Sequence, residues 1–233
     1  MKSVFMNKLG NACSGAHGRT GSGRRTQMAG GDCTAPLSFG CTCGTLRGYL
    51  ASQGVRSGTH VDCFCADCRA NELYHGMPDP APGPVDLFHM APDGIRIEAG
   101  AAHLAAIRLS PKGMLRWYAG CCGTPIANTF AGPALPFVGL RTAVLERPER
   151  LGPLRGHGFV PHPDGRTRHA GSIAVVGGLL RRALVARLTG RWRFTPFFDA
   201  AGAPAGPVRV LDESERASLY RPEAGHGTAQ APK

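Results

Sequence analysis

The sequence has no long apolar run. Its longest, Ile173 to Leu180, is far short of the roughly 20 residues that a membrane-spanning helix needs, so no membrane partner is expected. It has no apolar core near its start of the kind a secretory signal carries. It also lacks an internal repeat and a glycine-rich nucleotide-binding motif, and nothing groups its Ser, His and Asp residues as a hydrolase would. Acids are scarce: 16 Asp and Glu stand against 27 Lys and Arg, a formal net charge of +11. Glycine (33) and proline (19) are plentiful instead, which favours many turns and short elements. At 233 residues and 42% hydrophobic, the chain can bury a core without a disulfide framework.

A charge of this size ordinarily points to an anionic partner, but its placement matters. Residues 1–31 hold Lys2, Lys8, Arg19, Arg24 and Arg25 and no acid. They are rich in Gly, Ser and Asn and show no apolar periodicity, so residues 1–33 are expected to be a disordered leader, or an overlong start ahead of Met28. The second basic run is Arg181, Arg182, Arg187, Arg191 and Arg193, with no acid between Gly171 and Phe198. Ile173, Val176, Leu179, Leu180, Leu184 and Leu188 approximate helical spacing there. The expectation is an amphipathic surface helix whose arginines are solvated. An anion or nucleic-acid face is the second reading, although the helical segment itself shows no interleaved aromatic pattern for base stacking.

Seven of the nine cysteines fall in three groups: Cys41 with Cys43, then Cys63, Cys65 and Cys68, then Cys121 with Cys122. The odd total, the chain length and the lack of a secretory signal argue for metal binding over disulfides and for a cytoplasmic protein. In C-x-C on a strand both thiols project from one face. In C-x-x-C a tight turn brings two sulfurs to one metal. Two distant pairs can therefore close one four-ligand zinc site. A C-x-C-x-x-C group offers three thiolates. That is either a structural site closed by a fourth ligand from elsewhere or an open, catalytic arrangement, and spacing alone does not choose.

The stretches Cys41-Thr-Cys43-Gly44, Cys63-Phe64-Cys65-Ala-Asp-Cys68-Arg69 and Tyr118-Ala119-Gly-Cys121-Cys122-Gly123-Thr124-Pro125 follow one another in a telling order. Over about residues 36–145 they resemble the glutathione-dependent formaldehyde-activating enzyme and centromere protein V family, in an uncharacterised bacterial subgroup. The resemblance implies a zinc-bound β-tent domain of antiparallel strands. It implies that the first and third motifs share a structural zinc and that the middle triplet holds a second zinc linked to glutathione adducts. The reaction class it implies is carbon–sulfur lyase chemistry of the S-hydroxymethylglutathione type. Arg69 matches the family arginine and is the candidate contact for glutathione. Two departures stand out. Phe64 replaces a histidine, and Ala119 stands where the third motif has its first cysteine, with Cys121 as the substitute. Adjacent residues on a strand face opposite ways, so Cys121 and Cys122 can share a metal only if the backbone turns, for which Gly120 and Gly123 are suited. Otherwise the fourth ligand is Cys33, a water or nothing. His60 and His75 flank the triplet and are candidates for acid–base work or a fourth ligand.

The chain is thus expected to be mainly β: a zinc-binding domain at 34–145, then a C-terminal α/β extension at 146–233 carrying the basic helix. Strands are expected at Ser38–Cys41, Leu46–Leu50, Thr59–Val61, Gly94–Ile97, Leu104–Leu109, Leu115–Ala119, Ile126–Thr129, Phe137–Leu145 and Arg193–Asp199. Short helices are expected at Asp67–His75 and Glu213–Tyr220, with a long loop over 151–171. The extension covers a sheet edge or the zinc cleft, or contacts a partner. Function narrows to two readings: a zinc protein acting on a small thiol or thiol adduct, or a non-catalytic zinc-stabilised module, with nucleic acid as its partner through the arginine helix.

Overall fold

A computed structural model describes residues 35–220; expectations for the leader, Cys33 and the last residues lie outside it. The chain is mainly β. The strands β1 (Leu37–Gly40), β2 (Arg47–Leu50) and β5 (Ile95–Ala99) form a small antiparallel sheet in the order β1-β2-β5. Gly48 makes the second pairing possible, because a Cβ there would lie 2.0 Å from the Arg96 carbonyl and against the Phe39 ring.

The larger sheet has nine strands. Its six middle strands are β3 (Thr59–Cys63), β4 (Val85–Met90), β9 (Val138–Arg141), β8 (Pro125–Thr129), β7 (Leu115–Ala119) and β6 (Leu104–Arg108), in that order and all antiparallel. Both outer edges come from the C-terminal segment. Strand β10 (Gly156–Pro161), with its hairpin partner β11 (Thr167–Ala170), adds parallel to β3; β12 (Val208–Val210) adds parallel to β6. An open edge is a row of unpaired N–H and C=O groups that invites aggregation, so this segment completes the sheet. The expected loop at 151–171 is therefore largely a β-hairpin, and β4 and β12 are strands that periodicity did not reveal.

The main core gathers Leu37, Phe39, Leu46, Leu50, Phe88, Met90, Leu115, Trp117, Val138 and Leu140. The extension feeds it too: Phe197 and Phe198 are buried against Trp117, ring centres 5.3 and 6.0 Å away. The strand expected over Arg193–Asp199 is absent. A 3₁₀ turn at Arg191–Arg193 leads into an irregular segment that delivers these two phenylalanines. On the other side, α2 (Ala66–Tyr74) packs on α4 (Glu213–Tyr220), and Ala70, Ile107, Leu109 and Leu211 make a second apolar cluster there.

Besides the short α1 (Ser52–Ser57), the remaining helix is α3 (Ser172–Leu188). It exists where expected, but with the reverse face inward. Its buried residues are Arg182, Ala183 and Ala186, while Ile173, Val176, Leu180, Leu184 and Leu188 are 51–92% exposed. The small alanines let the helix approach the sheet, and Arg182 reaches beneath it to donate to the Ser57 carbonyl (3.0 Å) and Thr59 Oγ1 (2.9 Å). Burial pulls the Arg182 pKa down to about 10. No described helix is long and apolar enough to cross a membrane.

Candidate metal centres

The first centre is built from two turns. After β1 the chain reverses: Gly44 N–H donates to the Cys41 carbonyl and Gly44 takes a left-handed φ of 75°. After β7 it reverses again. The Ala119 carbonyl accepts from both Cys122 N–H (3.1 Å) and Gly123 N–H (2.8 Å), with Gly123 at φ 76°. Because Cys121 and Cys122 lie in this turn, the opposite-face rule for strands does not apply to them, and both sulfurs turn toward Cys41 and Cys43. The Sγ–Sγ distances are 3.5 Å for Cys41–Cys43, 3.4 Å for Cys43–Cys121, 3.8 Å for Cys41–Cys121 and 4.0 Å for Cys121–Cys122. All four sulfurs lie within 4.8 Å of one another. Four thiolates about 2.3 Å from a tetrahedral ion stand about 3.8 Å apart, so the group can hold a metal ion without rearrangement.

The surroundings favour a thiolate at Cys122 and oppose one at Cys121, whose pKa is pushed up to about 12 by desolvation first and its sulfur neighbours second. Leu46 N–H donates to Cys41 Sγ (3.3 Å). The Thr124 hydroxyl lies 3.1 Å from Cys122 Sγ, accepts from Thr42 N–H and is 2.9 Å from the Thr42 hydroxyl. Burial opposes ionisation of Cys122, but the hydrogen bonds from Thr124 and Thr42 outweigh it and bring the pKa down to about 5. Thr124 was quoted within the motif but given no role; its position two residues after Cys122 is the only sequence signal for it.

The second centre sits where β3 runs into α2. Cys65 is the residue that caps α2, its Sγ accepting from Cys68 N–H at 3.3 Å; the start of a helix favours an anion there. Cys63 Sγ lies 3.4 Å from Cys65 and 3.5 Å from Cys68. Hydrogen bonds from Cys63 and Cys68, helped by the nearby Arg116 charge, lower the Cys65 pKa to about 2. Its two sulfur neighbours shift the opposite way and keep their own protons. Cys63 rises to about 11 and Cys68 also rises, each through its sulfur neighbours first and burial second. Among the described residues no histidine, carboxylate or fourth cysteine joins this group. It too can hold a metal ion, with three protein ligands.

Cys63 and Cys65 open onto a cleft of about 840 Å³. Its walls are largely apolar: Phe64, Ala66, the Pro80–Pro82 loop, Val85, Pro161 and Tyr220. Arg69 lines it as well, but its guanidinium forks onto Asp79, Nε to Oδ1 at 2.7 Å and Nη2 to Oδ2 at 2.5 Å, and so fastens the proline loop to α2. Tyr220 arrives from α4, 153 residues downstream of Asp67, and donates to Asp67 Oδ1 at 2.5 Å. Asp67 Oδ2 in turn takes the buried Arg116 at 3.4 Å. Tyr220 and Asp79 carried no sequence signal, since long-range chain folding alone puts them here. The extension thus pairs with both outer middle strands and supplies Pro161 and Tyr220 to the cleft wall.

Neither flanking histidine reaches the triplet. His60 sits between Asp86 (2.7 Å) and the Gly152 carbonyl (3.1 Å). His75 is stacked with Tyr118 and Tyr74 at ring distances of 4.6 and 4.9 Å. Burial first, and Arg141 second, lower the His75 pKa to about 4.

No curated protein matches the chain. A crystal structure of a Rhodobacter sphaeroides protein, a structural genomics target, is similar over 50% of this chain and 96% of its own, with 20% identity and a TM-score of 0.35; that likeness is too slight to argue from. A family profile matches residues 34–150, which is half of the chain and spans all seven grouped cysteines, and on this ground the chain belongs to the family of unknown function (DUF6151).

Proposed function

We propose that the protein binds two zinc ions and uses the second to act on a small thiol or thiol adduct. Glutathione is the candidate thiol and carbon–sulfur lyase chemistry the candidate reaction, in keeping with the resemblance of its motifs to the glutathione-dependent formaldehyde-activating family and its β-tent fold. One contrast carries the reading. Four sulfurs complete the ligand set of the first centre, although Cys43 is exposed and Cys41 borders a cleft of its own, whereas the second has only three beside its largely apolar cleft. All-thiolate donor sets with tetrahedral spacing suit zinc, and three protein ligands with room for one more is the catalytic arrangement.

Cys41, Cys43, Cys121 and Cys122 would hold the structural ion, and Cys63, Cys65 and Cys68 the other. A zinc ion there would supply a site for a substrate sulfur and Lewis acidity. The chain's own residues do the remainder. The apolar wall of Phe64, the proline loop and Val85 excludes water from the carbon bonded to that sulfur. Arg69 with Asp79 fixes the loop's position. Tyr220, hydrogen-bonded to Asp67, places on the cleft wall a hydroxyl that keeps its proton, burial first and Asp67 second pushing its pKa up to about 12.

Cobalt substitution followed by titration with glutathione is the direct test. The expected result is a change in the visible spectrum of wild type that is lost in Cys65→Ser. An unchanged spectrum at saturating glutathione would leave the second centre a closed structural site. The nucleic-acid reading rested on α3, whose exposed face is apolar and whose Arg182 is buried, so it is not taken further.

A further inference from the structure

Helix α3 carries an apolar stripe with nothing over it among the described residues. Ile173, Val176, Leu180, Leu184 and Leu188 are spaced three or four residues apart and so share one face; they are 92, 51, 60, 60 and 78% exposed. A soluble surface helix turns such a stripe inward. Here the inward face is Arg182 with Ala183 and Ala186, flanked by the half-buried Val175 and Leu179, and this orientation leaves the other five apolar residues facing solvent. At 100° per residue, Arg181 borders the stripe on one side and Arg187 falls within its arc near the C-terminal end of the helix, and both are exposed. Just past the helix, Trp192 lies between the guanidinium groups of Arg187 and Arg193, 4.6 and 4.9 Å from them. Phe194 beyond it is 63% exposed. No acid occurs from Ser172 to Phe198; among the described residues, the one cation on this stretch tied down by a carboxylate is Arg191, held by Asp93.

We propose that α3 and the Trp192–Phe194 segment dock this protein onto an anionic lipid bilayer, with the helix lying in the plane of the interface. The stripe would sink among the acyl chains, Arg181, Arg187 and Arg193 would meet lipid phosphates, and Trp192 and Phe194 would sit at headgroup level, which is the division of labour of an interfacial helix. Charge separates this occupant from its rivals. A second copy docked stripe to stripe would bring these arginines against each other, with no carboxylate to neutralise them. A nucleic acid would satisfy the arginines but cover no apolar surface, and contacts of that kind are made to phosphates and stacked bases.

The test uses the full chain with vesicles of phosphatidylcholine alone or mixed with phosphatidylserine. The expected result is co-sedimentation at least about tenfold stronger with the anionic vesicles, weakening as salt is raised. The chain has two tryptophans and Trp117 is buried at 1% exposure, so a blue shift of emission on adding vesicles reports Trp192. The double variant Leu180→Asp/Leu184→Asp, at exposed positions, should keep the circular dichroism spectrum and metal content but lose both the sedimentation and the shift. Equal binding to neutral and anionic vesicles, or none, overturns the proposal. So does a wild-type dimer that this variant converts to monomer, or retention on DNA that the variant leaves intact.

Discussion

Among single residues the cysteines divide by what surrounds them. Cys41 and Cys122 tie two turns of different strands together, so losing either should unfold the domain, since structural zinc contributes folding energy directly. Cys63 and Cys68 end one strand and start one helix, and serine there should cost the second metal while leaving a folded chain; circular dichroism with metal analysis separates the two outcomes. Two histidines predict the response to acid. His75 and His89 are half-buried, and desolvation, with Arg141 and Arg182 respectively adding to it, lowers both pKa values to about 4 from 6.5. The folded state keeps them neutral while the unfolded chain protonates them, so stability is full above about pH 6.5 and falls as pH drops toward 4. Each contributes up to about 3 kcal/mol to that loss. Urea midpoints across this window should decline for wild type, and less steeply for His89→Leu. The seven cysteines were legible because metal spacing is local. Asp79, Thr124 and Tyr220 were not, because a hydrogen bond partner 10 to 153 residues away leaves no periodic trace.

Elements were read best where their neighbours are near in sequence. The hairpins β1–β2 and β7–β8 and the helices α2 and α4 stood within a residue or two of expectation, because turn glycines and alternating side chains encode them. Strand β4 was missed, although it lies mid-sheet between β3 and β9. Its Val-Asp-Leu-Phe-His-Met sequence breaks alternation because Leu87 and Phe88 are both buried. Strand β12 was missed because parallel pairing to a distant partner, not a local hairpin, defines it; β10 was missed although β11 is its local hairpin partner, because its Gly-His-Gly-Phe-Val-Pro sequence does not alternate apolar with polar residues. Helix α3 was read with the wrong face inward, since periodicity locates an apolar stripe but cannot say what it meets. Because Phe197 fills the space beside Trp117 at 1% exposure, Phe197→Ala should destabilise by about 3–5 kcal/mol, read as a lower urea midpoint with metal content retained.

For the whole molecule, the family match ends at residue 150, but the folded unit does not. A chain ended there would bare the edges of β3 and β6 and uncover Trp117, and is expected to aggregate where the full chain elutes as a single species on size exclusion. The net charge also changes meaning at this scale. Seven metal-bound thiolates with two zinc ions would lower +11 by three, and five of the positive charges belong to the leader, so what matters is the local set of arginines on α3. The central claim is two centres of different kinds in one chain. Zinc content per folded chain tests it most directly, measured on wild type and on Cys63→Ser. About two ions are expected for wild type and about one for a Cys63→Ser protein with an unchanged circular dichroism spectrum. A single ion in wild type, or a Cys63→Ser chain that unfolds as Cys41→Ser does, would contradict it.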